Sequence, residues 1–347
     1  MKQVRHPEYL HVSGDTALAI IDDYRREVDD RTSVDLLSDE FPYYAEAMGL
    51  AGVKLMNLTD NMAGAFKWRG AMVSTHVHAS EGVQHLVAPS AGNAARGGVF
   101  SALAHDTRLT VAVPRNAPRP KREGIRALTD SRLVGVKVVG NNFDETYAWA
   151  KESPYTMLAP YDCPAVMRGQ GTVLDDLLRL NPDTTDVVTP IGGGGLAAGM
   201  VLRSQELGRE DITFHLAEAP GNHSASTSFR LGRLAATVTP NQRFGGSAVK
   251  TIGDLPYRVL SQASNVRTLA VSEHDVDELS ELYLDGRREL LREDTPNFEP
   301  TTLVAVAAMK QLFGDTSQTV VLGTGRNDSV FPAYAAQSNR ANIFGGW

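Results

Sequence analysis

The sequence predicts an α/β fold whose mainly parallel sheets are covered by helices on both faces, and three observations predict it. Short runs of β-branched and aliphatic residues recur along the chain, most of them closed by Gly, Pro or Ser. Amphipathic helical runs lie between them. Strands that alternate with helices pair in parallel through helical crossovers, and such sheets are buried on both sides.

In chain order the strand expectations are His85–Ala88, stopped by Pro89; Leu109–Val113, stopped by Pro114; and Val134–Val139, stopped by Gly140. Asp186–Ile191 follows and runs into four glycines, then Phe214–Ala217, and last Thr319–Leu322, stopped by Gly323. The helical expectations are Phe143–Lys151, Gly171–Leu180, Asp275–Arg292 and Thr301–Leu312. Pro114–Arg122 carries three prolines and several basic residues and reads as an exposed loop. No internal repeat, low-complexity tract or Gly/Ser linker divides the chain.

A length of 347 residues with 42% apolar content suffices for a sizeable core and suggests two domains or one large one. A formal charge of −7 offers no basic excess to neutralise phosphates, which argues against nucleic acid as a partner. The single cysteine, Cys163, excludes an internal disulfide and a cysteine-rich metal cage. Polar sequence follows Met1-Lys2-Gln3 without an apolar h-region, and no run approaches the roughly 18 apolar residues of a membrane span. A cytoplasmic globular protein with no membrane association is the expectation.

The loudest motif is Pro190-Ile191-Gly192-Gly193-Gly194-Gly195-Leu196-Ala197-Ala198-Gly199, where a strand enters glycines and a small-residue helix leaves them. Glycines bring bare N–H groups close to a ligand, and at a helix N-terminus these favour an anion such as a phosphate. No Lys-Ser or Lys-Thr follows, so the loop is no nucleoside-triphosphate P-loop. A dinucleotide site is the rival reading: Gly192-x-Gly194-x-x-Ala197 fits the relaxed fingerprint, and Glu218 ends a later strand. The second motif is Ala63-Gly64-Ala65-Phe66-Lys67-Trp68-Arg69-Gly70-Ala71. A lysine among apolar and small residues is a candidate for burial, which disfavours the ammonium and yields a nucleophilic amine. Ser90-Ala91-Gly92-Asn93, the third motif, follows a predicted strand and opens a helix; Ser90 and Asn93 are candidate caps there, or the loop is a nest for a carboxylate.

An amine nucleophile, a carboxylate nest and a phosphate cradle together are what pyridoxal phosphate acting on an amino acid needs. With these motifs the chain resembles the fold-type II pyridoxal-phosphate enzymes, the tryptophan synthase β superfamily, and within it the threonine/serine dehydratase branch. The resemblance runs from about Lys54 to Asp328 and includes Pro114–Arg126, Asn142-Phe143-Asp144-Glu145, Pro160–Thr172 and Phe298-Glu299-Pro300. It implies that Lys67, after Phe66, carries the cofactor as a Schiff base and that Ser90, Ala91, Gly92 and Asn93 wrap the substrate carboxylate. Asn93 would also contact the cofactor's phenolic oxygen, and Gly192, Gly193, Gly194, Gly195 and Leu196 would bind its phosphate. A hydroxyl usually meets the pyridine nitrogen in this family; Thr324 in Val321–Asp328 is the candidate, although the branch more often has a serine directly after the strand. A neutral partner leaves the ring a weaker electron sink, which suits β-elimination.

The expected activity is therefore β-elimination from a serine- or threonine-like amino acid, with water or a substituted hydroxyl leaving. The alternatives are β-replacement by a second nucleophile and, more distantly, an NAD-dependent oxidoreductase using the glycine loop. Two α/β domains are implied: a large cofactor domain of residues 1–84 and 164–347 and a small substrate-carboxylate domain of 85–163, with the cofactor in the cleft and a homodimer or larger homo-oligomer as the assembly. The chain ends at Trp347, leaving no room for the regulatory domain of biosynthetic threonine dehydratases, so no inhibition by isoleucine is expected. Ala94 and Arg96 replace a histidine and a glutamine common in the branch, which suggests a roomier, more cationic site. Ala91 lacks the hydroxyl that related racemases use, which disfavours racemisation through that residue.

No metal site is expected. Glu218 matches the family's first metal ligand, but Ser224 stands where an acidic residue is needed. His76-Val77-His78 has two-ligand spacing for a strand, yet it falls in the predicted helix after Lys67, where the two are solvated histidines. Cys163, between Asp162 and Pro164, is a bystander, and no Gly-x-Ser-x-Gly elbow supports a hydrolase triad.

Overall fold

A computed structural model describes residues 12–326, apart from 51, 118, 128–131, 291–297 and 313–315. The chain divides into two compact units, one of the described residues up to Asp30 with Asn61–Thr172, the other of Arg31–Asp60 with Val173–Arg326. Ten strands are described: β1 Ser33–Leu36, β2 Lys54–Asn57, β3 His85–Pro89, β4 Arg108–Val113, β5 Val134–Val138, β6 Thr156–Met157, β7 Asp186–Ile191, β8 Thr213–Glu218, β9 Val266–Ala270 and β10 Thr319–Gly323.

In the second unit six strands form one sheet in the order β1-β2-β10-β7-β8-β9. All neighbours are parallel except the edge pair β1–β2. Val187 and Val188 of β7 and Val320–Leu322 of β10 are fully buried, as a sheet covered on both faces requires. The helix Pro300–Ala308, apolar around its whole circumference, packs on β7, β8 and β10.

In the first unit a four-stranded parallel sheet has the order β5-β4-β3-β6. The helix Lys67–Ser80 packs against Asn93–Ala104 and Pro164–Gly171. Glycines let these helices touch: a Cβ on Gly169 would lie 2.5 Å from the carbonyl oxygen of Arg69, one on Gly70 2.8 Å from that of Val166, and one on Gly97 2.9 Å from Cα of Trp68. Arg69 is buried in the crossing, paired with Asp30 at 2.9 Å and donating to Thr172 Oγ1 at 3.3 Å.

All six expected strands form, to within a residue or so at each end. Four were not legible. β6 has two residues, β1 is a half-exposed edge, and Lys54-Leu55-Met56-Asn57 of β2 lacks β-branched residues; β9, Val266-Arg267-Thr268-Leu269-Ala270, is no more buried than a loop. Two expectations need correction, one of a loop and one of a helix. Pro114–Arg122 is not all loop, because a helix spans Arg119–Ala127. The helix expected over Gly171–Leu180 begins at Val173, and Gly171 instead ends a preceding helix, Pro164–Gly171, with Thr172 between them donating its hydroxyl to Gly169 O at 2.7 Å.

Candidate active site

Parallel sheets gather the loops that follow their strands at one edge, and ligands are bound there in open α/β folds. In the first unit β3 and β6 are neighbours, so Ser90–Asn93 and Leu158–Pro160 leave the sheet at the same edge. Lys67 opens its helix beside them, with Phe66 at the N-cap position. The Lys67 ammonium lies 4.8 Å from the centroid of the Phe66 ring and donates to the Pro160 carbonyl at 3.5 Å. Lys67, Ser90, Ala94, Pro160 and Gln170 line one recess of about 10 Å³, its remaining wall apolar. That volume accommodates about one water molecule. Alanine at position 94 has therefore not opened a large space on this side.

The segment Ser90–Asn93 is built as a nest. Ser90 Oγ accepts from the Gly92 N–H at 3.1 Å, and among the described residues the N–H groups of Ala91 and Ala94 have no hydrogen-bond partner. Such N–H groups at a helix start suit a carboxylate. The capping expectation is corrected: Gly92 is the N-cap of the helix Asn93–Ala104, and no side chain caps it. Asn93 is its first residue, and its Oδ1 accepts from the buried Arg96 guanidinium at 3.4 Å. The extra cation of the sequence is thus turned onto Asn93.

In the second unit β7 and β10 are parallel neighbours, so the glycine loop and the turn holding Thr324 leave the six-stranded sheet at its carboxyl edge. Gly192 and Gly193 follow β7, Gly194 is the N-cap, and Gly195 and the buried Leu196 begin the helix Gly195–Glu206. Gly194 has φ +84°, and a Cβ there would lie 2.9 Å from Pro256; one on Gly192 would lie 2.7 Å from Cα of Ser247. Both positions therefore demand glycine. Among the described residues the N–H groups of Gly193, Gly194, Gly195 and Leu196 have no hydrogen-bond partner. They form an anion cradle reinforced by the helix dipole.

Thr324 follows β10 and is buried. Its hydroxyl lies 3.4 Å from Thr302 Oγ1, which also accepts from the N–H groups of Thr324 at 3.1 Å and Gly325 at 3.2 Å. Thr302 therefore holds the Thr324 turn in place. The sequence reading missed it, although the adjoining Phe298-Glu299-Pro300 was noted. Gln170, in a segment noted only as similar, also went without a role.

The other signals resolve simply. Glu218 is fully buried and its Oε1 accepts from the N–H groups of Ala225 at 2.9 Å and Ser226 at 3.1 Å, so it caps a helix. Among the described residues no group of three or more His, Cys, Asp or Glu side chains is placed to hold a metal ion. His76 and His78 part ways on their helix: His76 meets His105 at 3.2 Å, while His78 is buried and burial pushes its pKa down to about 4. His78 is therefore not the solvated residue expected. Cys163 is buried, and burial raises the pKa of its thiol, which keeps it inert. No described helix is long and apolar enough to cross a membrane.

Comparison with known proteins adds a family. The model of a family described as pyridoxal-phosphate dependent enzymes matches residues 45–325. The biosynthetic L-threonine dehydratase of Corynebacterium glutamicum is 28% identical over 294 residues, covering 81% of this chain and 65% of its own. The L-threonine ammonia-lyase of Thermotoga maritima is 31% identical over 231 residues, covering 65% and 55%. The chain thus spans about 55 to 65% of the length of these curated relatives. The solved structure of maize serine racemase superposes with a TM-score of 0.75 at 21% identity, over 94% of this chain and 96% of its own. That likeness is one of fold.

Proposed function

Because the chain belongs to the family of pyridoxal-phosphate dependent enzymes, we propose that it is a lyase catalysing β-elimination on a serine- or threonine-like amino acid. The observation that carries this reading is that the Lys67 amine and Ser90 of the carboxylate nest line one recess. The residues present also suit the cofactor. An amine opens a helix beside a phenyl ring, glycines whose Cβ positions are blocked present N–H donors for a phosphate, and Thr324 offers a buried hydroxyl for a ring nitrogen.

Bound pyridoxal phosphate supplies an electron-withdrawing ring for the electron pair left when the α-proton departs. Lys67 Nζ would hold the cofactor and would serve as the base that takes the α-proton. Ser90 and the N–H groups of the nest would hold the substrate carboxylate, and Asn93 would help to hold the cofactor. Gly192–Gly195 and Leu196 would anchor the phosphate. The hydroxyl of Thr324 would face the ring nitrogen and, being neutral, would suit loss of a β-leaving group.

In this reading residues 85–163 serve the substrate carboxylate, and 1–84 with 164–347 serve the cofactor. The protein works in the cytoplasm as a homodimer or larger homo-oligomer, with a small amino acid and further copies of the chain as its partners. The test is an absorbance spectrum of the protein loaded with pyridoxal phosphate beside Lys67→Ala, followed by titration with serine, threonine and their O-substituted forms. The wild type is expected to show a visible band that borohydride traps, to respond to one of these amino acids and to release a 2-oxo acid. Lys67→Ala should lose trapping and at least about 1,000-fold in turnover. A wild type that cannot be loaded overturns the reading, and product appearing only with an added thiol or amine would make it a β-replacement enzyme instead.

A further inference from the structure

Gln170 lies beneath the helix that begins at Lys67, in space that only a glycine at position 70 leaves open: a Cβ there would come within 2.9 Å of the Gln170 Cγ. Its side chain is 1% exposed, its Oε1 is buried without a hydrogen-bond partner, and among the described residues its amide makes no hydrogen bond at all. A buried amide left unpaired costs about 1–3 kcal/mol, so such a group is normally served by something. Gln170 lines the same recess as Lys67 and Ser90. The Ser90 hydroxyl accepts from Gly92, and its own hydrogen meets no acceptor among the described residues. The recess has the volume of one water, and a buried water needs two to four polar partners.

We propose that Gln170 is a positioning residue for the Lys67 amine, its buried amide seating one water that bridges Gln170, Ser90 and Lys67 Nζ. The inference rests on the proposed role of Lys67 and deepens it. A water anchored on the Gln170 carbonyl accepts from the ammonium and stabilises the charged amine once it is freed to hold a proton. Among the described residues no acidic side chain lines the recess. The charged or titratable groups on the elements around it are Arg69, His76 and His78 on the Lys67 helix, His85 on β3, Arg168 beside Gln170, Arg96 on the nest helix, and Tyr161, Asp162 and Cys163 after Pro160. Burial raises the pKa of the Tyr161 phenol well above its usual range.

The test uses cofactor-free protein. Lys67 is acylated by an amine-reactive ester across a range of pH, and its adduct is quantified by peptide mass spectrometry in wild type, Gln170→Leu and Gln170→Glu. Leucine removes the anchor, so its labelling midpoint should fall by about 0.5–1 pH unit; glutamate adds a negative charge, and its midpoint should rise by about 1 unit or more. A packing role alone would move both variants the same way. Shifts of the same sign, or both midpoints within about 0.2 unit of wild type, overturn the proposal. Should the leucine variant not fold, Gln170→Met, which keeps the length without the amide, replaces it under the same criteria. Because labelling needs no cofactor, failure here is distinct from failure of the loading experiment, which would sink the lyase reading itself.

Discussion

Gly192 and Gly194 show how single positions set the chemistry available to this chain. Each lacks a Cβ where a neighbour occupies the space, Ser247 in one case and Pro256 in the other. The need for glycine was plain in the sequence; what closes the space was not, because Ser247 lies 55 residues beyond Gly192. Gly192→Ala should therefore push the loop off the Ser247 backbone and misalign the N–H donors. Equilibrium dialysis is expected to show pyridoxal phosphate binding weakened about tenfold or more, an effect of 1.4 kcal/mol or greater. A change below about twofold would remove the loop from the cofactor site. Thr302 is the opposite case, a hydroxyl with no motif of its own whose bonds to the 324–325 backbone exist only because the helix Pro300–Ala308 packs on β10.

Among the elements, the crossing of Lys67–Ser80 with Pro164–Gly171 helps to place the lysine. Gly169 meets the Arg69 carbonyl, and the buried Arg69–Asp30 pair and Thr172 fasten the same helix. A methyl group at Gly169 has nowhere to go but into main chain, so Gly169→Ala should destabilise the fold by about 1–3 kcal/mol, read as a lower denaturant midpoint at unchanged slope. An unchanged midpoint would mean that the helices separate freely. The strand elements were legible where a β-branched run met a turn residue. Missed strands such as β2 and β6 are held by their neighbours: Lys54–Asn57 pairs with both β1 and β10, and β6 pairs with β3. Propensity carries no record of such partners.

For the whole molecule, His78 supplies a pH dependence. Its pKa falls from 6.5 to about 4 through burial, so the folded state resists a proton that the unfolded chain accepts. The unfolded state then binds more protons between these values. Stability should be fully present above about pH 6.5 and decline as pH falls toward 4, by on the order of 1–3 kcal/mol. His105, its pKa also lowered chiefly by burial, acts in the same direction. Chemical denaturation of wild type and His78→Leu across pH 4–7 checks this, with a shallower decline expected in the variant; parallel curves would assign the acid sensitivity elsewhere.

The sequence by itself determined the α/β class, six of the ten strands among the described residues and the three motifs at the ends of β3 and β7 and at the start of the Lys67 helix. These are local signals: glycines, a lysine among small residues and β-branched runs declare their conformational and chemical preferences within a few positions. Only the tertiary structure decided that Lys67, Ser90 and Gln170 share a recess, that Thr302 holds Thr324 and that His78 is buried. Each of these depends on parallel strands delivering distant loops to one edge, or on helices close enough to exclude water. Both are properties of packing between residues far apart in the chain, which no local pattern encodes.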